Sequence, residues 1–161
     1  MKRVIVCTAF LAIGFITLHA QSANSPEVKR KDSIIIADIV NPAVNTARQA
    51  NETPDWALLT ATVTGKYDAT YADRTITKAR IYYYYGKDWP TFSTAIVHYT
   101  QAYEDKEDLK LMNKNAKMIL QHSTNMDELK TATTWVKHAV DKEPSNTAYQ
   151  ETYQALSAKI K

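Results

Sequence analysis

Apolar residues recur at helical spacing along most of this chain. Behind Thr53-Pro54-Asp55, Trp56, Leu59, Val63 and Tyr67 fall three and four residues apart, forming a single stripe on a helix. Thr53 supplies a capping hydroxyl, Pro54 suits a first helical position and Asp55 places an acid in the first turn. Ile76, Ala79 and Tyr83 form a second stripe, which Gly86 can end. Asp88 is placed to cap a third helix, in which Trp89, Phe92, Ile96, Tyr99 and Tyr103 alternate steps of three and four in a heptad-like pattern.

Leu109, Met112, Ala116, Ile119 and Leu120 mark a fourth helix, interrupted by the polar stretch from His122 to Asn125. A fifth starts at Asn125, with Glu128 three residues on in the manner of a capping box. It carries Leu129, Ala132, Val136, Ala139 and Val140 and is stopped by Pro144. Ser145 can cap a last helix bearing Tyr149, Tyr153, Leu156 and Ile160. The short connections imply antiparallel neighbours.

The beginning of the chain reads differently. Lys2 and Arg3, the uncharged run Val4 to Leu18 and the small Ala20 form the three-part pattern of a cleavable export signal. Its apolar run of about fifteen residues is short of the roughly 20 that a spanning helix needs. The expected organisation is a signal peptide over 1–20, a flexible polar lead-in over 21–32 and one helical domain over 33–161. Within that domain Ser33 to Val40 is a short apolar run compatible with helix or strand, with helix favoured because no strand partner is evident. Export would leave the chain periplasmic or extracellular, with no membrane insertion once the signal is cleaved.

Composition narrows the chemistry. The chain has 20 basic and 17 acidic residues. Losing Lys2 and Arg3 with the signal leaves 18 against 17, so the mature net charge is about +1. Such a balance gives no electrostatic reason to expect nucleic acid as a partner. The single cysteine, Cys7, lies in the apolar run. The mature chain therefore lacks thiol chemistry, disulfides and cysteine-ligated zinc. Three glycines and five prolines are few for a protein of hairpins and tight turns, which again favours helix.

The spacing Ala132, Val136, Ala139, Pro144 resembles the second helix of a tetratricopeptide repeat, and Lys142 to Asn146 resembles the turn into a following unit. Tyr84-Tyr85-Gly86-Lys87-Asp88-Trp89, followed by Ala95, Ile96 and Tyr99, is similar to the inter-helix turn and second helix of such a repeat. The first helices depart from the family's Trp, Leu and Gly pattern. Tyr71 to Thr75, Lys87 to Pro90 and Glu151 to Leu156 resemble the helical segments that follow the thioredoxin-like domain in some exported bacterial proteins, although that redox domain and its cysteines are missing here. The resemblance implies an all-α fold of antiparallel helix-turn-helix pairs stacked as a degenerate tetratricopeptide-like array. Stacking such pairs joins apolar faces that no pair can bury alone and leaves a concave surface.

Candidate catalytic groups are sparse. His98, His122 and His138 stand at no metal-binding pair spacing, and no cofactor or metal is expected. There is no Gly-x-Ser-x-Gly turn and no phosphate-cradling loop. Glu104/Asp105 and Glu107/Asp108 sit beside Lys106 and Lys110, as expected of a solvated turn. The distinctive feature is Ile81-Tyr82-Tyr83-Tyr84-Tyr85. Successive helical positions point about 100° apart, so four rings cannot all enter one core. They could pack between neighbouring repeats, form a buried strand, or leave Tyr82, Tyr84 and Tyr85, with Trp89 near the turn, free to line a groove for a protein, peptide or sugar. The expected function is a binding or scaffold module for protein or peptide partners without catalysis of its own. The alternatives are an accessory or remnant of a thioredoxin-like redox system, a small-molecule or glycan-binding protein, and an enzyme of unrecognised type.

Overall fold

The computed structural model describes residues 25–161, so the expected signal segment lies outside the described residues. Within them the chain is all-α, with no strand, and its helices pack as neighbouring pairs. The helices are α1 (Pro26–Ile35), α2 (Asn41–Gln49), α3 (Trp56–Lys66), α4 (Ala69–Tyr84), α5 (Trp89–Tyr103), α6 (Leu109–His122), α7 (Met126–Lys142) and α8 (Thr147–Lys159). A π-helical turn, Ile36–Val40, joins α1 to α2 without a break. Asn41 donates its backbone N–H back to Ile36, and Pro42 follows immediately. A proline would otherwise clash with the carbonyl one turn back, and a widened turn is a known way to relieve such strain within a helix.

The flexible lead-in expected over 21–32 is corrected from Ser25 onward. The Ser25 hydroxyl caps α1 by accepting from the Val28 N–H at 3.2 Å, with Pro26 in the first turn. Val28, Asp32 and Ile35 recur at steps of four and three, and all three are buried. The folded body thus starts before residue 33. Ser33 to Val40 is helical, as favoured.

Two cap assignments also change. Asp55, not Thr53, caps α3, accepting from the Leu58 N–H at 2.9 Å. Asn146, not Ser145, precedes α8, and its side chain turns back to Glu143 instead of capping the helix. At α7, Asn125 accepts from the Asp127 and Glu128 N–H groups. The Glu128 carboxylate does not close a capping box. It accepts hydroxyl protons from Ser123 at 2.6 Å and from Thr94 of α5 at 2.7 Å. Asp68, Asp88 and Asp108 cap α4, α5 and α6. Gly86 has a positive φ of 74°, the left-handed conformation that ends α4.

From α3 onward consecutive helices run antiparallel, as where Trp56 at the start of α3 meets Tyr84 at the end of α4. Asp73 near the start of α4 meets His98 near the end of α5, and Glu107 before α6 meets His138 and Lys142 at the end of α7. Alternate helices run parallel: Thr94 meets Glu128 near the starts of α5 and α7, and Lys159 late in α8 donates to the Leu120 and Ser123 carbonyls at the end of α6. Two apolar clusters result. One joins Phe92, Met112, Ile119, Leu129, Val136 and Leu156 across α5 to α8. The other joins Ile35, Val40, Leu59, Val63, Ala72 and Ile76 across α1 to α4. Tyr84 packs against both.

Candidate functional site

The tyrosine run diverges as helical geometry requires. Tyr83 is buried, and its hydroxyl donates to the Glu52 carbonyl at 3.2 Å. Tyr84 is half-buried and accepts the Trp56 indole N–H at 2.9 Å. Tyr85 is exposed, but its ring stands edge-on to Trp89 and Phe92 at 5.5 and 5.4 Å, at the α4–α5 turn. Trp89 is itself stacked on His122, with ring centroids 3.7 Å apart. Tyr82 is 70% exposed. The fold therefore separates the three candidate tyrosines instead of assembling them: Tyr84 is structural, Tyr85 lies at a turn, and Tyr82 faces a groove.

That groove has Lys78 and Tyr82 of α4 as its central ridge. These residues are four apart and so share one helix face. On one side a recess of about 290 Å³ opens between α4 and α2, where it meets Asn45 and Arg48. On the other a recess of about 200 Å³ opens toward α5 and α6 and meets Tyr99, Glu104, Leu111 and Lys114. Lys78 and Tyr82 line both recesses. A single surface thus crosses four helices with an exposed aromatic ring at its centre.

Its charge is uneven. Lys78, Lys114 and Arg48 have no carboxylate within ion-pairing distance among the described residues, and the Arg48 guanidinium lies over the Tyr83 ring at 5.6 Å. Glu104 is the carboxylate facing them. Burial pushes the Glu104 carboxyl above the ordinary range, and Lys78 only partly opposes the rise. Burial and the nearby Glu104 push the Tyr99 hydroxyl up to about 12. The groove therefore carries more uncompensated positive than negative charge. The cationic members were invisible to a local pattern, since Arg48, Lys78 and Lys114 come from three separate helices; the spacing of Lys78 and Tyr82 was the available signal.

The other candidate groups have local partners. Glu107 engages His138 at 3.2 Å and Lys142 at 3.5 Å, Asp108 caps α6, and Asp105 accepts from the Glu107 N–H. His98 bonds Asp73, which also accepts from the Tyr103 hydroxyl. No group of three His, Cys, Asp or Glu side chains among the described residues could hold a metal ion. No helix among the described residues is long and apolar enough to cross a membrane. No protein family model matches the chain, and neither a curated protein nor a solved structure matches it.

Proposed function

We propose that this chain is an exported helical-repeat module that binds a protein or peptide partner and performs no catalysis of its own. The observation that carries the reading is Tyr82. It is a large aromatic residue held 70% exposed on a rigid helix, between two recesses and beside unpaired Lys78. An aromatic with a polar tip, flanked by recesses, is the usual form of an interface anchor. The unpaired Arg48, Lys78 and Lys114 favour an acidic segment over a neutral one.

The degenerate tetratricopeptide-like arrangement belongs to the same proposal. Antiparallel neighbours and parallel alternates, supported by Asp73–His98 and by Lys159 with Leu120 and Ser123, fit stacked helical hairpins. In such a stack α2, α4 and α6 would present the inner surface on which Tyr82 lies. Export rests on the basic, apolar and small-residue pattern of Lys2 to Ala20.

The test is affinity capture from the protein's own cell-envelope extract, comparing wild type with Tyr82→Ala and Lys78→Glu. A partner retained stoichiometrically by wild type and depleted by both variants supports the reading. Equal retention by all three would refute it.

A further inference from the structure

On the opposite side of α4 from Tyr82 lies a cleft of about 360 Å³, formed by Asp73, Thr77 and Arg80 of α4 facing Thr91, Thr94 and His98 of α5. Asp73, Thr77 and Arg80 are separated by four and three residues and share one face, which is rotated about half a turn from Lys78 and Tyr82. The cleft is therefore separate from the groove and does not depend on it.

Its walls have an unusual hydrogen-bonding balance. The Arg80 side chain makes no ion pair or hydrogen bond among the described residues, and its Nε is buried with no acceptor. A buried guanidinium N–H without a partner is costly and calls for one. The threonine hydroxyls around it are committed in the other direction. Thr91 donates to Asp88 at 2.6 Å and Thr94 donates to Glu128 at 2.7 Å. Each thus has lone pairs left to accept a bond. His98 holds Asp73 through Nε2, so in the neutral ring that donates there, Nδ1 is an acceptor. The cleft presents one unused cationic donor among several acceptors.

We infer that this cleft binds a small monocarboxylate that also carries hydrogen-bond donors, with its carboxylate on Arg80 and its hydroxyl or N–H groups on Thr91, Thr94 and His98. The planar guanidinium suits a carboxylate, which it can grip by two parallel bonds. A dianion is disfavoured, because Arg80 is the one cation lining the cleft, Asp73 shares its wall, and Asp88 and Glu128 stand behind Thr91 and Thr94. The volume lies at the small end for ligand sites, which suits a metabolite-sized molecule. Both a sugar acid and the free end of a short peptide offer this chemistry.

The test is calorimetric titration of the purified protein with glucuronate and with trialanine, each beside a counterpart that lacks the carboxylate, glucose and trialanine amide. The expected result is that at least one carboxylate binds, its counterpart without the carboxylate binds about tenfold or more weakly, and Arg80→Gln brings a similar loss. Whichever carboxylate binds identifies the source. Backbone amide shifts of the wild-type protein on adding that carboxylate should centre on Thr91, Thr94 and His98, which keeps the test independent of how Arg80→Gln folds. Lack of binding by both carboxylates at about 10 mM, equal binding of the counterparts that lack the carboxylate, tighter binding of inorganic phosphate, or shifts centred elsewhere would overturn the assignment.

Discussion

Arg74 grips Asp32 across 42 residues of sequence, with Nε and Nη2 donating to the two carboxylate oxygens at 2.7 and 2.6 Å. Asp32 is 8% exposed and Arg74 4%, so the pair is buried. The Tyr71 and Tyr103 rings lie 4.7 and 5.6 Å from the guanidinium carbon. The contact fastens α1 to α4. Removing one partner strands a buried charge, so Asp32→Ala and Arg74→Ala should each cost about 3–5 kcal/mol in urea unfolding. Replacing both residues with leucine and methionine should cost clearly less than either single change. A single-variant loss below about 1 kcal/mol would show that the pair is more hydrated than this packing implies.

Tyr84 joins the two apolar clusters, and its bond from the Trp56 indole ties α3 to that junction. Tyr84→Phe leaves the partly buried indole N–H without its acceptor and should cost about 1–2 kcal/mol. The tryptophans should rank by burial. Trp135 belongs to the buried core, and its truncation to alanine should cost about 3–5 kcal/mol. The half-buried Trp56 and Trp89 should lose less when truncated. Equal losses at all three would contradict this ranking.

Alkaline stability should depend on Tyr99 and Tyr103. Burial raises both hydroxyls, Tyr99 to about 12, and the bond to Asp73 raises Tyr103 further. A tyrosine that ionises near 10 in the unfolded chain, but higher in the fold, contributes stability that is complete below pH 10. That stability is lost as pH rises from about 10 to 12. Thermal melts across this window should fall more steeply for wild type than for Tyr99→Phe/Tyr103→Phe. Parallel curves would remove these two residues from the effect.

Asp73 acts at the acid end. Burial favours the protonated carboxyl, but hydrogen bonds from Tyr103 and His98 outweigh it and hold the group below its ordinary value of 3.8. Its contribution is present above that value and is lost as pH falls through the lower folded value. Asp73→Asn should flatten the acid limb of the melting-temperature profile below about pH 4. An unchanged limb would mean that other carboxylates set it.

The segments best read from sequence were those whose apolar stripe and cap lie close together in the chain. Asp88 with Trp89 to Tyr103, and Asn125 with Leu129 to Val140, gave α5 and α7 nearly to their ends. α1 escaped because its stripe of Val28, Asp32 and Ile35 includes a charge, and the partner that makes burial tolerable is Arg74, far along the chain. Lys29, Arg30 and Lys31 further masked it as polar linker. Glu128 fitted a local capping box, but Ser123 and Thr94 offered it hydroxyl donors that no local pattern reveals. For the site, a run of four tyrosines showed that the rings could not all enter one core. Which ones stay out depended on where α3 and α5 pack against α4, leaving Tyr82 and Tyr85 exposed and Tyr84 in contact with Trp56.

The most direct test of partner binding places a photo-crosslinking phenylalanine analogue at position 82 of the protein in its own cells, with the same substitution at Lys130 as an exposed control on α7. The predicted result is a discrete crosslinked species from position 82, absent from position 130 and lost when Lys78→Glu is added. No crosslink at position 82, or the same species from both positions, would contradict a binding groove centred on Tyr82.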